Sequence, residues 1–78
     1  MNEITKETLR RLRDSYPEGC RVRLVNMEDP YTKLLPGEMG TVVHVDCVGT
    51  IHVDWDNGSS LGVAYGIDKC VRETDDYE

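Results

Sequence analysis

The chain has 78 residues and a net charge of −6, with no Phe and a single Trp. That length allows one domain with a small core, which must be built from Val, Leu and Ile around Trp55. No apolar run is long enough for a membrane span, no leader is evident, and three cysteines without CxxC spacing point to a reducing compartment, so a cytoplasmic location is expected.

The charge is uneven. Residues 1–23 carry six basic and four acidic side chains, a net of +2, while residues 24–78 carry three basic and eleven acidic, a net of −8. Such an acidic surface repels phosphate and argues against non-specific nucleic-acid binding through it.

Residues 3 to about 15 read as a helix. Thr5, Leu9, Leu12 and Tyr16 recur at spacings of four, three and four, which gives one narrow apolar stripe. Asn2 or Thr5 can cap its start. Pro17 lacks an amide donor and disfavours helix at Tyr16, so the helix stops there. Lys6, Arg10, Arg11 and Arg13 lie mostly off the stripe. They are either a solvated helix face or a contact surface for an acidic partner.

Glu18-Gly19 is a turn. Cys20 to Asn26 forms the first strand, with Val22 and Leu24 inward and Arg21 and Arg23 outward. Val25 shares the outer parity, so cover by the helix is expected. Met27 to Met39 is a long irregular loop containing Asp29-Pro30-Tyr31 and Pro36-Gly37. Long loops on rigid scaffolds often carry binding.

Gly40 to Val63 reads as three antiparallel strands joined by two tight turns. A three-residue loop Cys47-Val48-Gly49 sets Asp46 opposite Thr50, Val45 opposite Ile51, His44 opposite His52 and Val43 opposite Val53. A second loop, Asp56-Asn57-Gly58, sets Trp55 opposite Ser59, Val53 opposite Leu61 and Ile51 opposite Val63. Both loops end on a glycine, the residue suited to the left-handed position that such a hairpin requires. A two-residue Asn57-Gly58 turn would set Leu61 against Asp54 on the wet face. Burying Leu61 is worth roughly 1.5–3 kcal/mol, which favours the longer loop.

Ala64 to Asp68 is a short helical turn, Lys69 to Arg72 a final strand, and Glu73 to Glu78 an acidic tail. The expected organisation is therefore a helix over residues 1–17, a barrel over 18–72 and a tail over 73–78. The fold class is mainly β. Short strands, a long first loop, tight hairpins and a turn before the last strand describe a five-stranded SH3-like barrel, with the N-terminal α-helix closing one open end. An OB-like barrel would need longer strands.

The run YPEGCRVRLVNMEDPY, then PGEMGTV, GTIHVDWDNGSSLG and GID, resembles a bacterial and phage family of small domains of unknown function, over about residues 9–72. DWDNGS followed by YG is also similar to the mind-bomb-type SH3-like repeat of ubiquitin ligases, over the last strands only. The first resemblance implies a fold and transfers no catalytic residues. The second implies peptide recognition.

Tyr31, Trp55 and Tyr65, with Asp29, are the candidate ligand groove, since SH3-like barrels often bind peptides on an aromatic shelf beside the first loop. Glu28, Asp29, Asp54 and Asp56 would favour a basic or Pro-rich peptide. Trp55 has the parity of the core face, which favours packing over a shelf. His44 and His52, with Asp46 and Asp54 nearby, contain the donors for zinc. An exposed cross-strand pair explains them without a metal, and none is assigned. Cys20 and Cys70 fall on adjacent strands and are either a close pair or two separate small core residues. No nucleophile–base set, phosphate loop or cofactor motif is present, so the expectation is a non-catalytic module with a protein or peptide partner. The alternative is a nucleic-acid accessory protein using Lys6, Arg10, Arg11 and Arg13.

Overall fold

A computed structural model describes residues 4–28 and 34–73. Its elements are α1 (Lys6–Ser15), β1 (Arg21–Asn26), β2 (Met39–Val45), β3 (Ile51–Trp55) and β4 (Lys69–Arg72). The four strands form one antiparallel sheet in the order β3-β2-β1-β4.

Helix α1 begins where a side chain can satisfy its free amides. The Thr5 hydroxyl accepts from the Thr8 amide at 3.1 Å, and Thr5 itself is extended. The first helical residue is thus Lys6, later than the periodicity suggested. At the other end the Tyr16 amide still donates to the Leu12 carbonyl at 3.0 Å, after which Pro17 has no amide to continue the ladder. Leu9, Leu12 and Tyr16 face the core, as their spacing required.

The core is Val22 and Leu24 from β1, Val42 and Val45 from β2, Ile51, Val53 and Trp55 from β3, and Cys70 from β4, joined by Leu34 and Val63. Leu34 lies in the stretch expected to be an irregular loop, yet it is buried. Each large aliphatic removed from water contributes about 1.5–3 kcal/mol, so Leu34 matters as much to stability as a strand residue.

Both hairpins close as the glycines demanded. Asp46 and Thr50 pair across the first turn (N–O 3.0 Å), and Gly49 sits at φ +88. Trp55 donates to the Ser59 carbonyl at 2.8 Å across the second, and Gly58 sits at φ +97. Val45 opposes Ile51 and His44 opposes His52.

Three expectations need correction. First, Val53 faces Val42, not Val43, because β2 is bulged between Val42 and His44. The extra residue resets the alternation, so Val42 is buried and Val43 turns outward at 38% exposure. Second, Val25 is 41% exposed. α1 lies with its stripe on the core and leaves that side of β1 open.

Third, residues 59–63 run along β3 without becoming a strand; only the Ile51–Val63 bridge forms. The reason is local. The Trp55 indole Nε1 donates to the Leu61 carbonyl at 2.8 Å, and the Leu61 amide donates to the Ser59 hydroxyl at 3.3 Å. Side chains thus take the groups that a ladder would use. The described sheet therefore has four strands, with a fifth segment alongside.

Candidate functional site

The aromatic candidates do not share one surface. Trp55 is 3% exposed, with its ring in the core and its indole N–H satisfied by Leu61. It therefore offers no face to a ligand, and its parity was the better guide. Tyr31 and Asp29 lie outside the described residues. Tyr65 is 39% exposed, on the turn between Ala64 and Asp68.

That turn is firmly built. The Ile67 and Asp68 amides donate to the Ala64 carbonyl at 3.1 and 2.9 Å. The Asp68 carboxylate folds back to accept from the Ala64 amide (3.1 Å) and from the Glu28 amide (2.8 Å). Asp68 thereby ties the turn to the end of β1, and its charge is spent on backbone donors.

Opposite Tyr65 stands α1. Between them lies an open-mouthed cavity of about 190 Å³. Ile51, Val63 and Cys70 form its floor; Leu12, Tyr16 and Tyr65 form its walls. The Tyr16 hydroxyl donates to the Cys70 carbonyl at 3.2 Å, which fixes that wall against β4. Burial, reinforced by the Cys70 and Cys20 thiols, raises the Tyr16 pKa and keeps the phenol a donor. Lys69 stands at the rim. Beyond Tyr65, Ile67 is 52% exposed.

Sequence reasoning found Tyr65 but not its neighbours. Leu12 and Tyr16 were legible as a buried stripe. That the stripe meets Tyr65 depends on how α1 lies across the end of the sheet, which no local spacing encodes.

His44 and His52 stack across β2 and β3, with ring centroids 4.4 Å apart and planes 10° from parallel. His52 Nε2 is 2.8 Å from Asp46 Oδ2. The other oxygen of Asp46 accepts from the Val48 amide (3.1 Å) and the Thr50 amide (2.9 Å). Partial burial acts to raise the Asp46 pKa, but the bonds from His52, Thr50 and Val48 outweigh it and hold the carboxyl below its ordinary value. This carboxylate organises the first hairpin turn. Among the described residues, no three His, Cys, Asp or Glu side chains are grouped to hold a metal ion.

Cys70 stands opposite Leu24, four residues beyond Cys20, or about 13 Å along an extended strand. The register therefore does not place the two thiols across from each other, and all three cysteines are free. Burial, and then the charge on Cys20, push the Cys70 thiol up to about 11. Cys47 is exposed on the first hairpin loop.

The basic residues of α1 divide. Arg11 is exposed and pairs with Glu7 at 3.0 Å. Lys6, Arg10 and Arg13 share another face, where Arg13 Nε also donates to the Val45 carbonyl at 3.2 Å. Arg21 has turned to Asp56, with contacts of 2.9 and 2.6 Å to its two oxygens. Among the described residues, no helix is long and apolar enough to cross a membrane.

No curated protein and no solved structure matches the chain. One family model does match, over residues 5–73, which takes in the helix, all four strands and both hairpin turns. The chain belongs to that family, the Domain of unknown function (DUF4314).

Proposed function

We propose that the chain is a non-catalytic interaction module built on a small SH3-like barrel. It takes an apolar side chain of a protein partner into the cavity between α1 and the turn at Tyr65. The barrel reading is supported by the segment 59–63 lying along β3 as a fifth strand would, by the two glycine-closed hairpins, and by the turn before β4. The non-catalytic reading is supported by the use of the Asp46 carboxylate, which is engaged by His52 and by two amides of the hairpin turn.

The observation that carries the proposal is the cavity itself. Its floor is the hydrophobic core, and its walls are Leu12, Tyr16 and Tyr65. An apolar socket with polar groups such as Asp68 and Lys69 in its lining is the usual form of a side-chain anchor site. The occupant is one bulky apolar side chain, because a shallow site of this volume cannot enclose more.

The test is an amide-resolved NMR titration with short synthetic peptides carrying a single central Leu, Phe or Trp. The expected result is saturable shifts at Tyr65, Gly66 and Cys70, lost when Ala64→Phe fills the cavity from its wall. Shifts that survive Ala64→Phe, or no saturable shift with any of the three peptides, would remove the proposal.

A further inference from the structure

A second surface, on the other side of α1 from the cavity, has its own character. Lys6, Arg10 and Arg13 are spaced four and three apart and fall on one stripe. With Leu9 and Asp14 they line a concave surface of about 370 Å³. Lys6 and Arg10 have no acidic partner among the described residues, unlike Arg11, which Glu7 neutralises.

Arg13 belongs to a second concavity as well. There it meets Glu18, and Val43 and His44 of β2, in a hollow of about 250 Å³. Its Nε is held on the Val45 carbonyl, so the guanidinium is positioned and not free to swing. The two hollows share Arg13 and so form one trough, from Lys6 near the start of α1 to the bulge in β2. The bulge is what completes it. Regular alternation would bury Val43; the extra residue turns it outward next to His44, beside Arg13. Bulges commonly re-aim side chains at functional surfaces.

We propose that this trough is the docking face for an acidic segment of a partner protein. Carboxylates of that segment meet Lys6, Arg10 and Arg13, and an apolar side chain meets Val43 and the exposed part of Leu9. Charge complementarity selects the occupant. The stripe concentrates three of the six cations of residues 1–23, and they outnumber the two carboxylates, Asp14 and Glu18, that line the same hollows. A nucleic acid would present the same sign of charge, but at every step of an extended backbone. Asp14 and Glu18, which line the same hollows, repel a phosphate at every step that falls beside them. A protein segment can confine its charge to the trough, within a Debye length of about 8 Å at physiological salt.

The test is a titration of the full chain at physiological salt, followed residue by residue through its amides. The probes are a short peptide of alternating Glu and Leu, its Lys-for-Glu counterpart, and a single-stranded DNA of similar length. The acidic peptide is expected to shift α1 and residues 42–45 saturably, and the basic peptide to leave them unchanged. Arg10→Glu should weaken binding by about tenfold, from a lost contact and a new repulsion. Val43→Ser should weaken it by about fivefold through lost apolar contact. Arg11→Gln should change it by less than about twofold, since Glu7 already holds Arg11. Equal binding of the basic peptide, indifference to Arg10→Glu, or shifts centred on Tyr65 to Cys70 would overturn the assignment. DNA binding as tight as the acidic peptide would overturn it too, in favour of a nucleic-acid face. The cavity proposal is read separately, at Tyr65, Gly66 and Cys70, so failure of the one is distinguishable from failure of the other.

Discussion

Adding one methyl group at Gly40 should destabilise the fold by about 2 kcal/mol. Gly40 is buried in β2, between Val22 on β1 and Trp55 on β3. A Cβ built there stands 2.5 Å from Val53 Cγ1, 2.8 Å from Trp55 Cε3 and 3.0 Å from the Asp54 carbonyl oxygen. Val53 and Trp55 are core residues, and the third contact is backbone, so none can yield cheaply. Overpacking of this kind costs about 1–3 kcal/mol, and three simultaneous clashes place Gly40→Ala in the upper half of that range. The stiffer unfolded chain offsets about 0.4–1 kcal/mol. The net of about 2 kcal/mol lowers Tm by about 8–16 °C in a domain of this size.

Urea unfolding followed by Trp55 emission measures the effect directly, since Trp55 is the only Trp. The midpoint should fall with an unchanged m-value. Gly58→Ala is the control. Nothing lies within 4 Å of its added Cβ, so its cost is the backbone strain at φ +97 alone. Gly58→Asn should recover part of that cost, because Asn tolerates the left-handed region, whereas Gly40→Asn should be worse than Gly40→Ala. A Gly40→Ala protein within about 0.5 kcal/mol of wild type would refute the steric argument.

Trp55→Phe should cost about 0.5–1.5 kcal/mol beyond its change in packing, because the partly buried Leu61 carbonyl loses the indole donor; thermal melts followed by circular dichroism would read it. Asp46→Ala should loosen the first hairpin turn, and the penalty should depend on pH. The folded carboxyl has a depressed pKa, so its contribution is complete above the ordinary Asp value of about 3.9 and fades as pH falls below it. Wild type and Asp46→Ala should therefore converge in urea midpoint between pH 5 and pH 2, and a constant gap over that range would contradict the assignment. In native protein at pH 8, iodoacetamide should modify exposed Cys47 first, while Cys70, with its thiol pushed up to about 11 by burial, reacts only on unfolding. Equal rates at Cys47 and Cys70, resolved by peptide mapping, would contradict the burial.

Much of the fold was legible because the informative signals were local. Gly49 and Gly58 each closed a three-residue loop, and the turn chemistry set the register beside them. The bounds of β4 and the stop at Pro17 were equally local. The errors lie where a residue answers to something that alternation does not encode. Val42 and Val43 are adjacent and chemically identical, so no pattern could say which one the bulge would turn outward. Ser59 to Val63 alternates like a strand, yet the Trp55 indole takes one of its carbonyls. Leu34 looks like a loop residue until its position over the core is known. The candidate site suffered most for the same reason. Tyr65 was named, but its companions Leu12 and Tyr16 lie on another element, and Trp55 was drawn inward by the core.

The contact of α1 with β4 has a wider meaning. Strand β4 ends the sheet, and an unguarded terminal strand invites a foreign strand to add to it. Here Tyr16, just past the end of α1, donates to the carbonyl of Cys70, and Arg72 reaches the Ser15 carbonyl at 3.4 Å, so the end of the helix pins that border at one place, like a hasp. A foreign strand pairing at Cys70 must therefore displace the Tyr16 hydroxyl first, and whatever frees the end of α1 also frees that carbonyl for polymerisation.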